Sequence, residues 1–260
     1  MNGVGPRSPA SLRVDSHRGS APGLRSGSDP GFRLSIIIPT LDEAEGIEAT
    51  LAAAQRARRD GAQIVVVDGG SRDRTRALAA PLADRVIEAP RGRAAQMNAG
   101  AAACSADVLL FLHADTLLPP NAHQAVAAGL AAGREWGRFD VSIAGAAALL
   151  PVVAMLMNAR SRWTGVATGD QAMFMTRDAF EAAGGFPSIP LMEDVALSKS
   201  LRRRSPPACL RERVVTSGRR WERAGALRTI LLMSRLRLAY ALGADPHQLA
   251  RRYDVERTSG

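Results

Sequence analysis

The sequence predicts an α/β fold: a mainly parallel sheet with helices on both faces, followed by a C-terminal helix. Short β-branched runs recur from position 34 onward, separated by longer Ala/Leu/Arg segments of helical character. The runs are continuously apolar rather than alternating, as strands covered on both sides require.

Strands are expected at 34–38 (LSIII), 63–67 (QIVVV), 85–89 (RVIEA) and 107–112 (DVLLFL), with helices at 45–59, 75–83 and 94–103 between them. The second half is less regular, with strands expected at 138–143, 171–176 and 213–216 and helices near 177–183 and 193–204. A long helix at about 224–243 sets Arg228, Arg235 and Arg237 among leucines, so it packs on the domain or lies on a membrane. Residues 141–159 carry no charge, which invites a membrane-span assignment. Ser142, Gly145, Pro151 and Asn158 interrupt that run and polar segments flank it, so a buried or interfacial helix is the better reading.

Three parts are expected: a disordered tail at 1–33, a domain at 34–221, and a basic amphipathic helix and tail at 222–260. The tail is rich in Ser, Gly, Pro and Arg and has no apolar core, so it does not read as a secretory signal. Its arginines leave a transit peptide as the second reading. The two cysteines, Cys104 and Cys209, give no disulfide framework and no metal-ligand spacing, and fit a reducing, cytoplasmic setting. The net charge is +9, and Lys199 is the only lysine. Such a surface suits a phosphorylated partner or the inner face of an anionic membrane, where peripheral contact is an added expectation. A nucleic-acid partner is disfavoured, because the arginines are dispersed and aromatics make up only 4% of residues, leaving few stacking platforms.

Ligands of open α/β sheets bind beyond the carboxyl ends of the strands. Here the first strand runs into PTLDEAEG, the second into VDGGSRDRT and the fourth into HADT, so three strand ends deliver acids to one rim. Any one cluster could be helix capping. Three together need cations or donors, since repulsion would otherwise raise their pKa values. Arg72, Arg74 and the segment PRGRAAQMNAG bring positive charge to the same rim. A rim of both signs suits a metal-bound nucleoside diphosphate.

In order and spacing, SIIIPTLDEAEGI, IVVVDGGSRDRT, RGRAAQMNAGA, FLHADT, GDQAMFM and PLMEDVALSKSLRR resemble the family 2 glycosyltransferases of the GT-A fold, a Rossmann-like architecture. Within the family they look most like a small bacterial subgroup linked to arsenosugar biosynthesis. The resemblance implies that Thr40, Asp42, Glu43, Asp68 and Gly70 line the nucleoside pocket, with Asp68 accepting from the base. It implies that Arg93 faces donor phosphate or ribose. Asp115 matches the last acid of the family's Asp-x-Asp motif and would ligate Mg²⁺ or Mn²⁺. His113 stands in place of the first acid, where a neutral imidazole can still contact a ribose hydroxyl; a packed histidine is the bland alternative, and a direct bond to a hard cation is disfavoured.

The same resemblance assigns catalysis to Glu193 and Asp194. Asp194 would take the proton of the attacking acceptor hydroxyl in an inverting single transfer, and Glu193 would orient the acceptor. The pair could instead merely decorate a helix N-terminus. The turn GGFP at 184–187 is expected to let it swing onto the acceptor. GRRWER resembles the Gln-x-x-Arg-Trp motif of processive relatives, with Ser217 in place of Gln. Arg220 would then clamp the departing diphosphate. A nucleotidyltransferase would carry a Gly-rich basic loop where PTLDEAEG stands, and a non-catalytic nucleotide-sugar-binding protein would not need the acid pair.

Overall fold

The computed structural model describes residue 1 and residues 32–258; the side chains of residues 220, 223, 224, 226, 227 and 254–258 fall outside the described residues, as does nearly all of the expected N-terminal tail. Among the described residues, eight strands form one sheet in the order β3-β2-β1-β4-β7-β6-β8-β5. The first four, β1 (Leu34–Thr40), β2 (Gln63–Asp68), β3 (Arg85–Glu88) and β4 (Val108–Phe111), are mutually parallel. β7 (Met173–Thr176) runs antiparallel to β4 and to β6 (Trp136–Ala144). β8 (Ala208–Ser217) lies parallel to β6, and the short β5 (Thr116–Leu117) closes the edge antiparallel to β8. The expected mainly parallel sheet is therefore parallel in its first half and mixed in its second.

The two-sided burial read from the sequence holds for β1, β2 and β4, whereas the edge strand β3 is only half-buried at Val86 and Ile87. Ile36, Ile38, Ile64, Val66 and Leu110 face one apolar core, while Ile37, Val65, Val67, Leu109 and Phe111 face the other. Three helices cover the first core: α1 (Ile47–Arg59), α4 (Ala122–Ala131) and α5 (Leu150–Thr164). Three others cover the second: α3 (Arg93–Ala102), α6 (Arg177–Ala182) and α7 (Glu193–Arg204). The short α2 (Thr75–Ala79) joins β2 to β3. α3 approaches the sheet closely because Gly100 has no side chain; a Cβ there would collide with Ile37 and Val67.

One local expectation is corrected. The uncharged run at 141–159 is split: β6 extends to Ala144, Gly145 takes φ 155°, and only the rest of the run enters α5. Asn158 pins that helix to the sheet through two 2.9 Å bonds to the backbone of Val141. Among the described residues no helix is long and apolar enough to cross a membrane. His123 is buried on α4 and stacks on Phe32 at 5.4 Å.

The C-terminal segment forms α8 (Arg219–Ala224), α9 (Ala226–Ala241) and α10 (Pro246–Thr258). Leu236 and Leu249 pack with Val166, Met192 and Val195 in a third core, and the Lys199 ammonium lies 5.0 Å from the Tyr240 ring centre. The segment thus covers the start of α7, where the acid pair sits.

Candidate active site

β2, β1 and β4 are neighbours and parallel, so their carboxyl ends share one rim. The first two ends are laced together. Asp42 adopts a left-handed backbone (φ 52°), which a short polar side chain tolerates. Its N–H donates to Ser71 Oγ at 2.9 Å, and its Oδ1 accepts from the Arg72 N–H at 2.8 Å. Thr75 Oγ1 accepts from the Glu43 N–H, and Asp73 Oδ2 from the Ala44 N–H. Hydrogen bonds from Thr75 hold the Asp73 carboxyl below its usual range.

Asp68 is fully buried. Its Oδ2 accepts from the N–H groups of Gly70 and Ser71, both at 2.9 Å, and its Oδ1 from the hydroxyls of Ser71 and Thr40. The carboxylate therefore shapes the loop, which turns at Gly70 with φ 91°. Gln96 was not singled out from the sequence, yet its amide donates to the carbonyls of Thr40 and Val67 at 2.8 Å and locks α3 onto both strand ends.

Beyond β4, the Asp115 carboxylate lies near enough to Glu43 for their charges to interact. Burial and then the nearby Asp115 charge raise the Glu43 pKa, while Arg219 opposes the rise. Arg219 donates to Glu43 Oε2 at 3.1 Å and to Glu45 Oε2 at 3.0 Å, and Ser217 Oγ accepts from its Nε at 3.1 Å. The basic residue seen against the acidic rim is thus Arg219. Arg220 lies in the first turn of α8, and its side chain is outside the described residues.

A cavity of about 240 Å³ adjoins this region and brings together Arg93, His113, Glu193 and Asp194. Thr40, Asp42, Asp68 and Gly70 lie outside it, at the ends of β1 and β2 and in the loops that follow. Asp170 joins the group from a 3-10 turn, Gly169–Gln171, and its Oδ1 lies 3.1 Å from His113 Nδ1. The His113 ring abuts Gly169, where a Cβ would collide with it. Asp170 also lines the small cleft that holds Asp115. The family-like GDQAMFM run marked this segment without giving Asp170 a role.

The acid pair opens α7. Met192, just before it, is buried with a left-handed φ of 69°, a conformation that surrounding structure must impose on a non-glycine residue. Asp194 Oδ2 accepts from the Gly169 N–H, and Oδ1 from the Val195 N–H, both at 2.7 Å. Glu193 is 5% exposed. Burial, and then the Asp194 charge, push its pKa up to about 7, against the pull of Arg93. The preceding turn is anchored, contrary to the expected hinge: Asn98 clamps Phe186 through bonds of 2.8 and 3.0 Å, and the Phe186 ring meets Phe111 edge-on at 4.8 Å.

Comparison with known proteins assigns the class. Residues 35–147 match the family described as Glycosyl transferase family 2. That stretch is a glycosyltransferase domain, and the chain is a glycosyltransferase. The match ends before Asp170, Glu193 and Asp194, which the fold alone brings to the rim. No curated protein matches the chain. Among solved structures, a mannosyltransferase from Pyrobaculum calidifontis, in complex with GDP-Man and Mn²⁺, is similar at 21% identity and a TM-score of 0.57, over 84% of this chain and 67% of that one. Glucosyl-3-phosphoglycerate synthase from Mycobacterium tuberculosis, with Mn²⁺, UDP and glucosyl-3-phosphoglycerate, is similar at 18% identity and 0.55, over 73% and 72%. TarS 1-349 of S. aureus follows at 14% and 0.55, over 70% and 57%. These likenesses establish the GT-A fold.

Proposed function

We propose that the chain moves one sugar from a nucleoside-diphosphate donor to a hydroxyl acceptor, with inversion at the anomeric carbon. The observation that carries this is the Glu193–Asp194 pair, held at one cavity with Arg93, His113 and Asp170. Two backbone N–H groups fix the Asp194 carboxylate, and each oxygen keeps a lone pair for an acceptor proton. The acceptor oxygen attacks the anomeric carbon, its proton passes to Asp194, and the bond to the diphosphate oxygen breaks on the opposite face. No enzyme nucleophile takes part, so one displacement inverts the centre. Glu193, whose protonated form is favoured by burial, orients the acceptor hydroxyl.

Donor binding falls to the rim. Thr40, Asp42, Glu43 and the Asp68–Gly70 loop form the nucleoside wall, His113 faces the ribose, and Arg93 with the arginines at the start of α8 meets the diphosphate. Among the described residues no three His, Cys, Asp or Glu side chains are grouped to hold a metal unaided. The donor set still fits Mg²⁺ or Mn²⁺: Asp115, with the Glu43 charge nearby, supplies hard oxygens, and such ions complete their shells with phosphate and water. A bound cation would neutralise charge on the departing diphosphate. The similar structures, described with GDP-Man, with UDP and with Mn²⁺, support this reading. The acid pair favours it over a non-catalytic binding protein.

A thermal-shift panel of GDP, UDP, GDP-mannose and UDP-GlcNAc, with and without Mn²⁺, tests the proposal. A ligand specific for the folded state stabilises it by about 2.7 kcal/mol at a hundred times its dissociation constant. Absence of any metal-linked shift across a broad nucleotide panel contradicts it.

A further inference from the structure

A second cavity, of about 300 Å³, opens between α5 and α9. Val153, Met157, Ile230 and Met233 give it an apolar wall, yet Arg160 and Arg237 also line it. The Nε and Nη2 of Arg160 are buried and have no hydrogen-bond partner among the described residues. Burial of two unspent donors on a charged group is costly unless something pairs with them. Burial, and then the neighbouring Arg237 charge, lower the Arg160 pKa to about 10, so the guanidinium remains a cation at neutral pH. Two cations against the single carboxylate of Asp170 leave this apolar-walled cavity net positive, the complement of one anionic group on an apolar body.

The cavity's position adds a second argument. Asp170 and Arg237 line it and also line the cavity of the acid pair, so the two spaces share a boundary. Outward, α5 exposes Val152, Met155, Leu156 and Trp163, the last 94% exposed, and the α9 side exposes Leu231, Leu238 and Leu242. Apolar surface therefore runs on both helices that bound the cavity.

Resting on the sugar-transfer reading above, we infer that this cavity is the acceptor site, and that it takes an amphiphile whose anionic head pairs with Arg160 and Arg237 while its apolar body lies between α5 and α9. A phosphate or carboxylate head meets the fork of Arg160 in a two-point contact. The acceptor hydroxyl then reaches Asp194 across the shared boundary.

Calorimetry on the full chain with octyl phosphate, 1-octanol and inorganic phosphate, at low salt, tests this. Octyl phosphate should bind more tightly than either of the others. Arg160→Met should weaken it at least tenfold, and should leave octanol binding and GDP or UDP binding unchanged. Because Nε and Nη2 have no partner to lose, Arg160→Met should melt no lower than the wild type; Arg237→Gln provides a second variant, also weakening octyl phosphate. Equal octyl phosphate affinity in wild type and both variants, or octanol binding as tightly as octyl phosphate, overturns the inference. So does displacement of octyl phosphate by saturating GDP or UDP, which would place it in the donor site. If neither nucleotide binds the wild type, the donor reading fails, and the octyl phosphate comparison still decides this one.

Discussion

The backbone N–H of Gly169 donates to Asp194 Oδ2 at 2.7 Å, joining residues 25 positions apart. The same glycine leaves room for the His113 ring, whose Nδ1 meets Asp170. One residue without a side chain thus sets both the acid of α7 and the histidine just beyond β4. Gly169→Ala should fold but displace the ring. Turnover is expected to fall about 100-fold, the scale for misplacing reacting groups by roughly 1 Å. Steady-state kinetics at saturating donor would check this; unchanged turnover would show that the close approach has no part in catalysis.

Asp115 and His113 should separate in their effects. Asp115→Ala removes the acid proposed to hold the cation, so Mn²⁺-linked nucleotide affinity should disappear while the melting curve stays cooperative. His113→Asn retains a polar partner for Asp170 and should weaken binding less. Calorimetric titration with and without Mn²⁺ reads both, and intact Mn²⁺ linkage in Asp115→Ala rules out the metal assignment.

Glu193 makes stability pH-dependent in a defined direction. Its folded pKa is raised from 4.5 to about 7, so the fold favours the protonated acid. That contribution is fully present below pH 4.5 and is lost as pH rises through about 7. Glu193→Gln should remove the loss, so its melting temperature should gain on the wild type between these values. Parallel curves for the two proteins across that window would place Glu193 in a water-like setting.

Asn98 is expected to act through Phe186. Asn98→Ala strands the Phe186 N–H and C=O that the amide now satisfies. The cost should be about 1–3 kcal/mol in urea unfolding, the penalty for half-buried polar groups left unpaired. A change under a few tenths of a kcal/mol would mean that the turn before the acid pair is held by its aromatic packing alone.

The first half of the sheet and its rim were legible because β1, β2 and β4 are covered on both faces, so their strand ends stand out as abrupt changes from apolar to acidic residues. The second half was less so. An uncharged run serves equally as strand or helix, and the point of change at Gly145 is a backbone conformation rather than a periodicity. Asp170 was missed because only the antiparallel return of β7 beside β4 carries it to His113. Arg219 was not singled out, since the motif resemblance bears on Arg220 and carries no information on the residue beside it. α10 is largely polar, and among its described side chains Leu249 is the buried one. Nothing in the sequence of α5 announces that two donors of Arg160 go unpaired.

Asp194 is proposed to accept the acceptor's proton in a single inverting displacement. Asp194→Asn keeps the side chain's shape and leaves the diphosphate contacts intact. Its nucleotide affinity should match the wild type, its transfer rate should fall by roughly 10²–10⁴, the scale for losing a general base, and the wild-type product should carry the anomeric configuration opposite to the donor's. Near-normal transfer by Asp194→Asn, or a wild-type product that retains the donor's configuration, would contradict it.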